Sequence, residues 1–118
     1  MKALRISPQG DVTEVELPND HAGRFVEALR TLIAAMTIEA LVLTSRWDAW
    51  LDEDGYANAQ PLNTYATALA NHYGIPAPLR GTVVITGADR ETGYAAALTP
   101  GQVTAIRQRV MNPSKTSP

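Results

Sequence analysis

Apolar and polar positions alternate at the start of the chain. Leu4 and Ile6 precede the run Pro8-Gln9-Gly10-Asp11, and Val12, Val15 and Leu17 follow it. Alternation on both sides of a Pro/Gly/Asp cluster predicts a β-hairpin over residues 3–17. Pro18-Asn19-Asp20 stops the second strand and offers Asn19 or Asp20 as a helix N-cap. The period then changes. Phe25, Leu29, Leu32, Ile33 and Met36 fall on one face of a helix over residues 21–36, with Arg24, Glu27, Arg30 and Thr31 on the other.

The run IEALVLT, residues 38–44, is short and rich in β-branched side chains, as a strand buried on at least one face would be. Ser45-Arg46 breaks it, so residues 47–51 can return antiparallel. Asp52-Glu53-Asp54-Gly55 reads as a turn whose glycine takes a positive φ, after which Tyr56 resumes extended structure and completes a three-strand meander. A second helix is expected over residues 64–73, capped by Asn63 and stopped at Gly74. The apolar run GTVVITG, residues 81–87, predicts a central strand, and ETGYAAAL adds a short one. In Thr99-Pro100-Gly101-Gln102 the spacing of Thr and Gln is that of a capping box, with Pro at the first helical position. It opens a third helix over residues 100–111 that turns Val103, Ile106 and Val110 inward, and residues 112–118 form a disordered tail. The expected fold class is α+β: one domain over residues 1–111, its mainly antiparallel sheet packed by an amphipathic helix and two further short helices.

Composition narrows what such a domain does. At 118 residues and 45% hydrophobic side chains, the chain holds one core rather than two. A net charge of −2 with scattered basic residues argues against a nucleic-acid partner, because tracking phosphates requires clustered Lys and Arg. Arg107, Arg109 and Lys115 come nearest to a cluster and read as a solvated helix end. The absence of cysteine excludes disulfides, thiolate catalysis and Cys-ligated zinc. Neither a signal peptide nor a membrane span is present in the hydropathy pattern, and a cytoplasmic protein without a membrane partner is expected.

The segment WDAWLDEDGYANAQPLN, residues 47–63, gathers both tryptophans with acidic and amide side chains. As a calcium loop it fails, because aligning Gly55 with the invariant glycine puts Trp50 at the first ligand position and Pro61 at the twelfth. Asp48, Asp52, Glu53 and Asp54 do not read as an acid–base pair, since an acidic turn is expected to keep all four solvated. Period-two geometry puts Trp50 on a strand face with Asp48 and Asp52, where it serves either as a recognition surface or as a tryptophan covered by a helix. His21 and His72 lack metal-ligand spacing, and no serine sits in a nucleophile elbow. The Gly87–Gly93 segment lacks the Lys-Ser/Thr pair of a phosphate loop. At the predicted helix start, Asn63, Thr64 and Tyr65 present polar groups to an anion or carbonyl, or form a simple N-cap. No cofactor, metal site or catalytic residue is expected.

Taken in order, LRISPQGDVTEVELP, an amphipathic helix, IEALVL, the acidic DEDG turn, PLNTYATALA and RGTVVITG resemble domain-of-unknown-function family 3846. The most telling piece is N-x-x-A after the acidic turn, here Asn63 and Ala66; the Trp-rich strand before that turn departs from the usual pattern. The resemblance implies a small accessory protein of phages, plasmids and actinobacterial genomes, working in the cytoplasm of a bacterial host, and it carries over no catalytic residue. The expected function is a non-enzymatic binding module that engages a host protein or a small host metabolite. Its expected surface is Trp50, Tyr56, Asn58, Asn63 and Tyr65. Two alternatives stand beside it: a small-molecule enzyme pairing Asp48 or Asp52 with Tyr56 or Tyr65, and a structural homodimer joined through an edge strand.

Overall fold

A computed structural model describes residues 1–20 and 23–111 of the chain. Nine elements follow one another: β1 (Lys2–Ile6), β2 (Val12–Glu16), α1 (Gly23–Ile33), β3 (Ile38–Val42), β4 (Trp47–Asp52), α2 (Thr64–His72), β5 (Val83–Asp89), β6 (Tyr94–Ala96) and α3 (Pro100–Met111). The strands form a 6-stranded sheet in the order β2-β1-β5-β4-β3, and β6 pairs with the far end of β5. Every one of these pairings is antiparallel. The domain is α+β, as its hydrophobic pattern predicts.

Helices cover the sheet on both faces. Leu4, Ile6, Ala49, Leu51, Val83 and Ile85 point to one side and pack with Leu69 of α2 and Val103, Ile106 and Val110 of α3. Their neighbours Ala3 and Val84 point to the other side, against Phe25, Leu29 and Ile33 of α1. The period of two in the strands sorts residues to the two layers, and the period of 3.6 in α1 lines up its buried stripe. Strand β5 is central: it is paired on both edges and its residues Val83, Val84, Ile85, Thr86 and Gly87 are all buried. At Gly87 an added Cβ would lie 2.8 Å from the carbonyl oxygen of Ala96, so no side chain fits where β6 comes alongside.

The expected caps form. Asp20 accepts the N–H groups of Arg24 and Phe25 at 3.1 and 3.0 Å and so caps the first turn of α1. The capping box of α3 is reciprocal, Gln102 N–H donating to Thr99 Oγ1 at 3.2 Å and Thr99 N–H to Gln102 Oε1 at 2.9 Å.

Two expectations are corrected. Helix α1 ends at Ile33, because Ala34 adopts φ 59° and the N–H of Ala35 bonds back to the carbonyl of Arg30, a Schellman-type stop. Met36 therefore lies outside the helix, 84% exposed rather than in the core. The meander is also absent. Residues 53–59 form a series of turns, the positive φ falls on Ala59 (56°) and not on Gly55, and the inner neighbour of β4 is β5. The tail expected at 112–118 and the helix start expected at 21–22 lie outside the described residues.

Candidate functional site

The acidic segment folds into a knot around one carboxylate. Asp52 is the last residue of β4 and only 3% exposed. Its Oδ2 accepts from Asn58 Nδ2 at 3.0 Å and Gln60 Nε2 at 3.4 Å, while its Oδ1 accepts the N–H of Asp54 at 2.9 Å. Backbone bonds from Asn58 to Asp54 and from Gln60 to Gly55 close the turns. The expectation that all four carboxylates are solvated is wrong for two of them. Asp52 is buried because its own loop wraps over it with donors. Asp48 is buried because Arg90 reaches across the sheet, placing Nη2 2.9 Å from Oδ1 and Nη1 3.3 Å from Oδ2. The same guanidinium donates to the carbonyls of Thr44 and Trp47 and so ties the β3–β4 turn. With amides, a backbone N–H and a guanidinium on these oxygens, neither aspartate forms the carboxylate–tyrosine pair of the enzyme alternative.

The five residues expected to form one surface divide between the two faces of the sheet. Trp50 lies under α1, edge-on to Phe25 with ring centroids 5.5 Å apart, and its Nε1 donates to Thr86 Oγ1 at 2.9 Å. It is half-buried on the α1 side, so of the two readings of this tryptophan the structure gives the helix-covered one. Asn63 belongs to the opposite layer and has no exposure at all. Its Nδ2 donates to the carbonyls of Ile6 and Gly81 at 3.0 and 2.9 Å, and its Oδ1 accepts the N–H of Ala66 at 3.0 Å. That bonding makes it a cap and a clamp between β1, α2 and the approach to β5, with nothing left over for an anion.

Three aromatic or apolar groups remain outside. Tyr56 is 82% exposed, Leu62 43% and Tyr65 37%. Arg80 lies over the Tyr56 ring at 5.1 Å, donates to the carbonyl of Gln60 at 3.3 Å, and is bridged through its backbone to Leu62. Tyr65 rests on Gly10, where φ is 95° and any Cβ would meet its ring at 2.7 Å. The β1–β2 turn, the knotted loop and the start of α2 thus bring these side chains to one end of the sheet. Among the described residues no carboxylate pairs with Arg80. Sequence reasoning passed over Arg80; its only signal is a lone cation between a proline-rich loop and the central strand.

A second aromatic group sits where α2 meets α3. Tyr73 packs edge-to-face on Trp47 at 5.7 Å, and Arg109 lies over its ring at 5.6 Å while also touching His72. Burial pushes the Tyr73 hydroxyl above its ordinary value of 10.0, and the charge of Arg109 pulls the other way. The indole N–H of Trp47 is buried and has no hydrogen-bond partner among the described residues. His72, at the C-terminal end of α2, is exposed. Among the described residues no group of three or more His, Asp or Glu side chains is arranged to hold a metal ion, and no helix is long and apolar enough to cross a membrane.

The result is a three-layer α+β domain in which Asp48 and Asp52 are tied internally and half-buried Arg80 lies over exposed Tyr56 at one end of the sheet. The chain belongs to the family described as domain of unknown function DUF3846, whose model matches residues 1–111. No curated protein and no solved structure matches it.

Proposed function

We propose that the protein is a non-enzymatic binding module that engages a partner protein through Tyr56, Leu62, Tyr65 and Arg80. The observation that carries this reading is Arg80, whose guanidinium lies over an exposed tyrosine and pairs with no carboxylate among the described residues. Arg and Tyr are enriched among residues that dominate interface energies, because each offers a large rigid surface with directed donors. Exposed Asn58, bonded to Asp52, fixes the loop beside that surface, and buried Asn63 fixes the helix start beneath it. The partner would present an acidic side chain to Arg80 beside an apolar ridge that covers Tyr56 and Leu62. In keeping with the family resemblance, the proposed setting is a phage or plasmid accessory protein directed at a host protein in the bacterial cytoplasm, with a small host metabolite as the other ligand class.

The test compares tagged wild-type protein with Arg80→Glu and Tyr56→Ala in capture from an actinobacterial lysate, read by native mass spectrometry. One host polypeptide retained by the wild type and lost from both variants, with melting temperatures unchanged, is the expected result. Retention by Arg80→Glu would reject this surface. A co-purifying small molecule insensitive to both variants would move the function to a metabolite site elsewhere.

A further inference from the structure

The two edges of the sheet differ in what guards them. On β2, hydrogen bonds from Ser7 N–H to the Asp11 carbonyl and from Leu17 N–H to the Met1 carbonyl set the alternation, so the even-numbered residues Val12, Glu14 and Glu16 turn their backbone groups outward. That edge is closed. Arg107 donates from Nη1 to the carbonyl of Val12 at 2.7 Å, and Glu14 and Glu16 charge the rest.

On β3, the bonds from Leu43 N–H to the Trp47 carbonyl and from Glu53 N–H to the Thr37 carbonyl show that the odd-numbered residues face β4. Ile38, Ala40 and Val42 therefore point their N–H and C=O groups to the outer edge, where no strand among the described residues meets them. None of the usual protections is present: β3 holds no lysine, no proline and no bulge, its register with β4 runs unbroken, and its one charge, Glu39, belongs to the residues that bond inward.

We infer that β3 is a self-association edge and that its occupant is the β3 strand of a second copy, paired antiparallel about Ala40. The geometry selects this register. Centring on Ala40 sets Ile38 opposite the partner's Val42 and Ala40 opposite the partner's Ala40, so every outward backbone group of β3 finds a mate. It also sets Glu39 opposite the partner's Leu41 and keeps the two glutamates from facing each other. The two-fold axis continues each sheet face into the same face of the partner, joining two sheets into one, and Ile38, Ala40 and Val42 form an apolar row across the seam. Val42, 58% exposed, is covered by the partner's Ile38 there, and Met36, 84% exposed, lies beyond the opposite, Ile38 end of the strand. An interface built on five-residue strands is small against the roughly 1,200 Å² of a stable complex, so the association is concentration-dependent. It is independent of the Arg80 surface.

Sedimentation velocity over a concentration series reaching about 1 mM tests this. Wild-type protein is expected to shift from monomer to dimer. Ala40→Pro removes an outward N–H without touching the bonds to β4, and Ala40→Lys and Ala40→Glu each place like charges on the two-fold axis, so all three should stay monomeric. Mixing Ala40→Lys with Ala40→Glu should restore a dimer, because opposite charges then meet at that one position. A wild type that remains monomeric throughout overturns the inference, as does a dimer that survives Ala40→Lys, or a mixture that fails to pair although both variants melt like the wild type. Arg80→Glu is expected to dimerise normally, which separates this result from failure of the binding surface.

Discussion

At the scale of single residues, Asn63 connects more of the fold than any aromatic in the acidic segment. Its side chain caps α2 and bonds the carbonyls of Ile6 and Gly81 from a position without solvent access. Replacing it with Ala removes a cap, costing about 1 kcal/mol, and strips a donor from two carbonyls at about 1 kcal/mol each. Asn63→Ala should therefore lose roughly 3 kcal/mol, a fall of roughly 10 °C in melting temperature for a domain of this size. Asn63→Asp keeps the capping oxygen but turns a carboxylate on the two carbonyls, and should be no better. Scanning calorimetry that finds Asn63→Ala within a few degrees of wild type would refute the clamp. The cap itself was legible, since Asn before a helical period is an ordinary signal. The clamp was not, because Ile6 and Gly81 come to Asn63 only through the folding of distant strands. For the same reason the buried states of Asp48 and Asp52 were hidden: Arg90 is far along the chain, and the amides that satisfy Asp52 look like turn residues until the loop closes.

At the scale of elements, nearly every strand and helix could be read from the period of its apolar positions, and the errors lie where a chain reversal uses alanine in place of glycine. The run TLIAAMT continues a helical pattern in good helix formers, so nothing in it announces a stop at Ile33. Ala34 ends the helix at φ 59° and Ala59 closes the knotted loop at φ 56°, in a region where a Cβ costs roughly 1 kcal/mol. Ala34→Gly and Ala59→Gly should each stabilise the protein by about 0.5 kcal/mol, the strain relieved being partly offset by the greater freedom of glycine in the unfolded chain. Chemical denaturation would register this as a higher midpoint with an unchanged slope. A lower midpoint for Ala34→Gly would mean that the end of α1 is held by something other than the backbone stop. The lost meander has the same origin: once Ala59 rather than Gly55 carries the left-handed turn, the chain after β4 is delivered to α2 instead of to a third strand.

At the scale of the whole molecule, the order of the strands has a consequence for folding that no local pattern contains. Hairpin β1–β2 and hairpin β3–β4 do not pair with each other; both pair with β5, which comes from the last third of the chain. Leu4 must find Ile85 and Trp50 must find Val84 before the sheet has a centre. A two-stranded hairpin is marginal alone in water, and the layers formed by α1 and by α2 lack a continuous floor until β5 is in place. A fragment of residues 1–81 should therefore show no cooperative melting transition, even though it contains four of the strands and two of the helices. Adding a peptide of residues 82–111 should restore the transition, because it supplies β5 and β6 along with α3. Circular dichroism melts of the fragment, the peptide and their mixture decide the matter. Cooperative melting of the fragment alone would mean that the two hairpins can pair directly, and β5 would then be an insertion into a finished sheet rather than the strand on which both halves are built.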